Sequence, residues 1–133
     1  LPPETEWEKA ARGPGSRVYA YGDTYRMAAA NQESGLLLPA GTFPPNGFGL
    51  RDMTGNAFEW TGDWFVRSAY GGAVPVDDED RAGIERRALR GGSFVLDGIF
   101  VRNSMRMCLR PDVRADDVGF RVLRANVDPT YGP

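Results

Sequence analysis

The chain has 133 residues, 41% hydrophobic, 11% aromatic and 26% charged, with a net charge of −2. That is length enough for one domain with its own core, and the near-neutral charge provides no field to gather nucleic acid or an anionic membrane. Histidine is absent, Cys108 is the single cysteine, and the longest apolar run, "SGLLLPAG", is broken by Pro39. A histidine base, an internal disulfide and a cysteine-cluster metal site are therefore excluded from this chain, as is insertion of a membrane helix of about 20 apolar residues.

In chain order, "PPETEWEKAARG" predicts a helix. Pro2 and Pro3 suit its start, Glu4 and Glu6 suit the positive end of its dipole, and Trp7, Ala10 and Ala11 share one face. Arg12 complements the last turn, and Gly13 followed by Pro14 stops it. "SRVYAYGD" alternates weakly, as a short strand would, and "YRMAAANQ" fits one further helical turn. "NAFEWT" alternates, with Asn56, Phe58 and Trp60 on one side and Ala57, Glu59 and Thr61 on the other. The segment from Val74 to Glu85, "VPVDDEDRAGIE", reads as an acidic surface loop. "RRALRGGSF" enters an apolar stretch in which Gly91 and Gly92 mark a bulge or a close backbone approach. "FVRNSMRMCL" predicts a strand, and "DVGFRVLRA" predicts the clearest one, with Val118, Phe120 and Val122 on one face and Arg121 on the other. The 17 glycines and 10 prolines are spread along the chain. One helix, short strands and long loops make an α+β pattern.

The blocks "LPPETEWEKAARG", "YGD", "FPPNGFGLRDMTGNAFEWTGDWF", "LRGGSF", "RPDVR" and "VGFRV" occur in the order and spacing of the formylglycine-generating (sulfatase-modifying factor) family, which the chain resembles from Leu1 to about Arg124. The resemblance implies an elaborated C-type-lectin-like fold with much coil. In the family the helix block lies near the middle of the domain. Residues 1–133 are therefore expected to be the C-terminal portion of one such domain, whose N-terminal part would be this chain's first partner.

Several site expectations follow from the resemblance. Family members can hold calcium at "FPPNGFGL", which makes Asn46, Gly47 and Gly49 the expected ligands. Calcium takes about six to eight oxygens, and an asparagine with glycine carbonyls supplies that chemistry, although an Asn-Gly turn explains the same residues without an ion. The segment Asn31–Phe43, with Glu33 as its acid, is too poor in ligands for the family's second calcium site. Formylglycine-generating enzymes also place two copper-binding cysteines five residues apart after the GGS. Here those positions are Leu96 and Val101. A soft Cu(I) ion requires thiolates, so copper is not expected. Ser93 matches the family's active-site serine, and Cys108 falls on neither cysteine position, where a buried small hydrophobe is the plainer reading. Arg90, Arg102, Arg106, Arg110, Arg114 and Arg121 recur at framework positions. With Asp52, Glu59, Asp63, Asp112, Asp116 and Asp117 they are expected to make bidentate ties that fix the coil.

The expected function is a formylglycine-generating-enzyme-like domain without that activity, binding a protein or small-molecule ligand. The expected ligand surface comprises Trp60, Trp64, Ser93, Phe94, Leu96, Phe100, Val101, Asn103 and Met105. Other branches of the family define the alternatives. One is a metal-dependent oxidoreductase of the ergothioneine-synthase or pyoverdine-maturation type, with its metal ligands outside this chain. The other is a receptor whose Phe94–Val118 stretch is varied by a retroelement.

Overall fold

The structure, a computed structural model, describes residues 1–67, 83 and 85–124. Most of the acidic stretch from Val74 to Glu85 lies outside the described residues. Helix α1 spans Glu4–Arg12, a 3-10 turn follows at Met27–Ala29, and four strands complete the order: β1 Phe58–Trp64, β2 Arg87–Arg90, β3 Met107–Leu109 and β4 Val118–Phe120. The architecture is α+β, with one mixed sheet in the order β3-β2-β1-β4. The β1–β2 and β2–β3 pairs are antiparallel and the β1–β4 pair is parallel. Among the described residues, no helix is long and apolar enough to cross a membrane.

The helix forms where the sequence predicts it, but its ends are held from a distance. No side chain of its own caps the start. Instead the Asp63 carboxylate accepts the Glu4 amide hydrogen. A negative group there also complements the helix dipole. A bulge in β1 makes this reach possible. Trp60 faces Leu89 but Trp64 faces Arg87, so β1 carries two extra residues between these pairs. The bulge turns the Gly62 amide out to the Pro2 carbonyl at 2.9 Å. At the other end Gly13 takes φ +65, and the Asn46 side-chain amide donates to the Ala10 and Ala11 carbonyls at 2.7 and 3.2 Å. Those are orphan acceptors of the last turn.

The buried face of α1 lies against the sheet. Trp7 and Ala11 join Ala20 and Met53 in the core, with Ala10 and Leu50 packed on the edge of that cluster. Gly91 and Gly92 follow β2 with φ +96 and +73, a left-handed backbone that suits glycine. A β-carbon on Gly91 would meet the Trp7 ring at 3.2 Å. The glycines therefore mark a close approach, as the sequence predicts.

One strand expectation is overturned, two are shortened, and the "NAFEWT" strand is present as β1. The "SRVYAYGD" segment is a turn, closed by a Tyr19–Gly22 bridge and by the Val18 amide donating to Asp23. Of "FVRNSMRMCL" only Met107–Leu109 pairs, because residues 98–104 run through successive turns. β4 ends at Phe120, and its apolar alternation meets no covering layer among the described residues: Phe120 is 68% exposed and Val122 80%. In β1 both faces are covered near its start, so Glu59 and Thr61 are buried along with Phe58.

Candidate functional site

The loop leaving β2 holds most of the residues expected to bind a ligand. Ser93, Val101 and Asn103 have no solvent exposure. A β-carbon on Gly92 would meet Val101 Cγ1 at 2.6 Å and the Val101 Cα at 2.9 Å. Val101 thus fills the space against a glycine backbone and works as a packing residue. Leu96 is half-buried, and its backbone closes the loop by donating to Ser93 O at 3.1 Å and accepting from the Glu33 amide at 3.2 Å. Phe94 donates its amide to Asn56 O and accepts from Ser34 and Gly35. Asn103 ties the loop to Val18 O and Arg17 O. Ser93 Oγ and Asn103 Oδ1 are buried with no hydrogen-bond partner among the described residues. Phe100 is 44% exposed, and Met105 is half-buried with its carbonyl accepting from Arg90 at 2.7 Å.

The two tryptophans belong to a different place. Trp60 lines a cavity of about 460 Å³ with Leu1, Thr61, Gly62, Arg87 and Pro111, and no residue of the 93–105 loop enters it. Trp64 is 45% exposed, and the Arg87 guanidinium lies 3.7 Å from its ring centroid. The expected ligand surface is therefore two patches: the loop after β2, and the bulged end of β1.

Two metal expectations meet definite chemistry. The Asn46 amide is committed to α1, and its Oδ1 accepts the Phe48 and Leu50 amides, each at 3.0 Å. Its carbonyl accepts from Gly49 at 2.9 Å. Gly47 packs where a β-carbon would meet the Pro14 ring. The segment is thus a hydrogen-bonded turn against the helix end, and a cation on Asn46 Oδ1 would displace two backbone bonds. At the copper positions Leu96 and Val101 offer no thiolate, and Cys108 stands in β3 opposite Ala88. The residues present do not fit a Cu(I) site. Among the described residues, no group of three or more His, Cys, Asp or Glu side chains could hold a metal ion.

The arginines tie the helix to the sheet, partly through acids that sequence reasoning had assigned elsewhere. Arg121 makes a bidentate pair with Glu59, both contacts at 2.5 Å, and Trp7 Nε1 donates to the same carboxylate at 2.6 Å. Arg106 pairs bidentately with Glu4, and Arg90 pairs with Glu8 while donating to the Ser104 and Met105 carbonyls. Glu4, expected only to complement the helix dipole, is in fact a buried counter-ion. Asp63, expected to tie an arginine, caps α1 instead. Arg110–Asp112 is a solvent-exposed pair at 3.3 Å, and Arg102 bonds the Ile99 carbonyl.

Sequence reasoning missed one cluster. Tyr19 and Tyr21 stack with centroids 5.2 Å apart, and Tyr25 tilts by 52° against Tyr19 at 6.1 Å. Tyr25 lies on Gly98, where any β-carbon would strike its ring. The Tyr25 hydroxyl donates to Glu33 at 3.3 Å. Burial pushes the Tyr19 phenol upward, helped by Tyr21 and Asp97 and opposed by Arg102. Loss of water around Tyr25, followed by the Glu33 carboxylate, raises that phenol too. Three tyrosines within "YAYGDTY" were the available signal.

Comparison with known proteins gives this arrangement its relatives. The chain is 35% identical over 153 residues to the formylglycine-generating enzyme of Streptomyces coelicolor, covering 99% of this chain and 48% of that protein. It is 34% identical over 141 residues to the inactive C-alpha-formylglycine-generating enzyme 2 of Mus musculus, covering 91% of this chain and 41% of that protein. The chain spans about half the length of the first of these relatives. Among solved structures, PvdO from Pseudomonas aeruginosa superposes with a TM-score of 0.71 at 28% identity, over 90% of this chain and 50% of that one. Treponema denticola variable protein 1 superposes with a TM-score of 0.68 at 30% identity, over 90% and 45%. With the sulfatase-modifying factor enzyme 1-like domain matched over residues 1–126, the chain belongs to that family.

Proposed function

We propose that this formylglycine-generating-enzyme-like domain does not make formylglycine and instead works as a ligand-binding or accessory domain. The carrying observation is the pair Leu96 and Val101. Neither side chain can bind copper, and Val101 is fully buried against the Gly92 backbone. Overall identity does not separate the two kinds of relative, since 35% to a generating enzyme and 34% to an inactive one are equivalent. The donor chemistry of Leu96 and Val101 in this chain supports the inactive reading. Exposed Leu36, Leu37, Phe48, Val122 and Leu123 support a further reading, that another part of the same domain packs on this chain. The test is conversion of a sulfatase-type cysteine peptide by the full-length protein with copper. The cysteine is expected to survive, and its conversion to formylglycine would end this reading.

A second reading has its own support. Val95, Ile99, Phe100 and Met107 are exposed, so they can vary without touching the core. Together with the likeness to the Treponema denticola variable protein, this supports a receptor whose Phe94–Val118 stretch is diversified by a retroelement. A near-copy of that coding stretch beside the gene, differing at adenines, is the observation that would establish it. Its absence would count against it.

A further inference from the structure

The tyrosine cluster opens into a cavity of about 390 Å³ lined by Tyr19, Tyr25, Met27, Glu33, Asp97, Gly98 and Ile99. Its composition is selective. Two tilted aromatic rings form one wall, two carboxylates lie at the rim, and no lysine or arginine is among the described lining residues. Each carboxylate has capacity to spare: Glu33 accepts from the Tyr25 hydroxyl, and Asp97 accepts from the Ile99 amide at 3.2 Å. An ionised carboxylate has about four acceptor sites. Met27 and Ile99 are well exposed and make apolar lips.

We propose that this cavity binds an alkylammonium group, carried either by a small molecule or by a peptide lysine. Ring faces attract an ammonium cation through their quadrupole, and the carboxylates add Coulomb attraction. The apolar lips suit methyl or methylene groups next to the charge. The fold already uses this chemistry one residue away, where the Arg26 guanidinium lies 5.3 Å from the Tyr21 centroid. Two cations temper the field. Arg26 is held on Tyr21 and its carbonyl, and Arg102 is held on the Ile99 carbonyl. Neither lines the cavity. Glu33 is positioned by its own backbone, which takes φ +52 and donates to Leu96 O. The loop that carries Leu96 and Val101 thus also holds one wall of this pocket.

The inference deepens the ligand-surface reading of that loop and rests on it for location, but not on the chain being inactive. Formylglycine formation would overturn the earlier reading and leave this one standing, and a silent cation titration would do the reverse. The experiment titrates the full-length protein with tetramethylammonium, followed by tyrosine fluorescence. Neopentyl alcohol serves as the uncharged control of similar shape. A saturable response to the ammonium ion is expected, weakened about tenfold or more in the Glu33→Gln/Asp97→Asn variant, which keeps both side-chain shapes. Far-ultraviolet circular dichroism verifies that the variant is folded. A lysine-containing peptide binding more tightly than tetramethylammonium identifies a peptide source, and weaker peptide binding identifies a small molecule. No saturable response, an equal response to neopentyl alcohol, or an unweakened double variant would each overturn the proposal.

Discussion

Replacing Glu59 by Gln tests how this coil-rich domain is held. The Glu59 carboxylate is buried, receives both arms of Arg121 at 2.5 Å and also receives Trp7 Nε1 at 2.6 Å. Glutamine keeps the shape but removes the charge, and its NH2 group must face one of these donors. Breaking a buried pair costs about 3–5 kcal/mol. Here the Arg121 side chain retains 26% exposure, so water recovers part of that loss. An expected destabilisation of about 2–3 kcal/mol follows, which for a chain of this size lowers Tm by about 10 °C. Thermal and denaturant unfolding of the full-length protein measure it. In the Arg121→Ala background the same substitution should cost about 1 kcal/mol less, because the partner is already gone. A loss within about 0.5 kcal/mol, the ordinary effect of a surface change, would refute the claim that this tie joins α1, β1 and the segment after β4.

The remaining predictions concern the loop, the turn and the tyrosines. Gly92→Ala places a β-carbon at φ +73 against Val101 and should cost about 3 kcal/mol, whereas an unchanged denaturation midpoint would mean the loop can shift freely. Asn46→Ala removes the cap on the Ala10 and Ala11 carbonyls and should cost about 2 kcal/mol. Calcium added to the unmodified protein should leave Tm unchanged; a calcium-dependent rise would restore the ion to this turn. The Tyr19 and Tyr25 phenols are raised above their ordinary 10.0. The folded state therefore holds these protons more tightly, so their contribution is complete below pH 10 and is lost as pH rises through the folded values. Spectrophotometric tyrosinate titration should show late phenols in the folded protein, and Glu33→Gln should bring Tyr25 down; an unmoved Tyr25 would contradict the Glu33 contact.

What the sequence disclosed depended on whether the signal was local. Helix α1 was legible because its start, stop and buried face are all written between Pro2 and Pro14. Gly91 and Gly92 were legible because adjacent glycines at a strand end mark a bulge or a close backbone approach. Two caps were not legible, since Asp63 and Asn46 reach α1 from 59 and about 35 residues away. β4 misled because alternation records side-chain direction, and Phe120 and Val122 point into space that no described residue fills. Trp64 was expected on one ligand surface with the loop after β2, but it stacks on Arg87 at the bulged end of β1. The tyrosine cavity draws its walls from the Tyr19–Gly22 turn, the 3-10 turn and the 97–99 loop. No single window of sequence contains it.

The central claim is that a family fold has lost its metal chemistry at Leu96 and Val101. Mass analysis of a sulfatase-type cysteine peptide, incubated with the copper-supplied full-length protein, tests it most directly. The account predicts that the cysteine-containing mass persists unchanged. A copper-dependent shift to the formylglycine mass, absent without the protein, would contradict it.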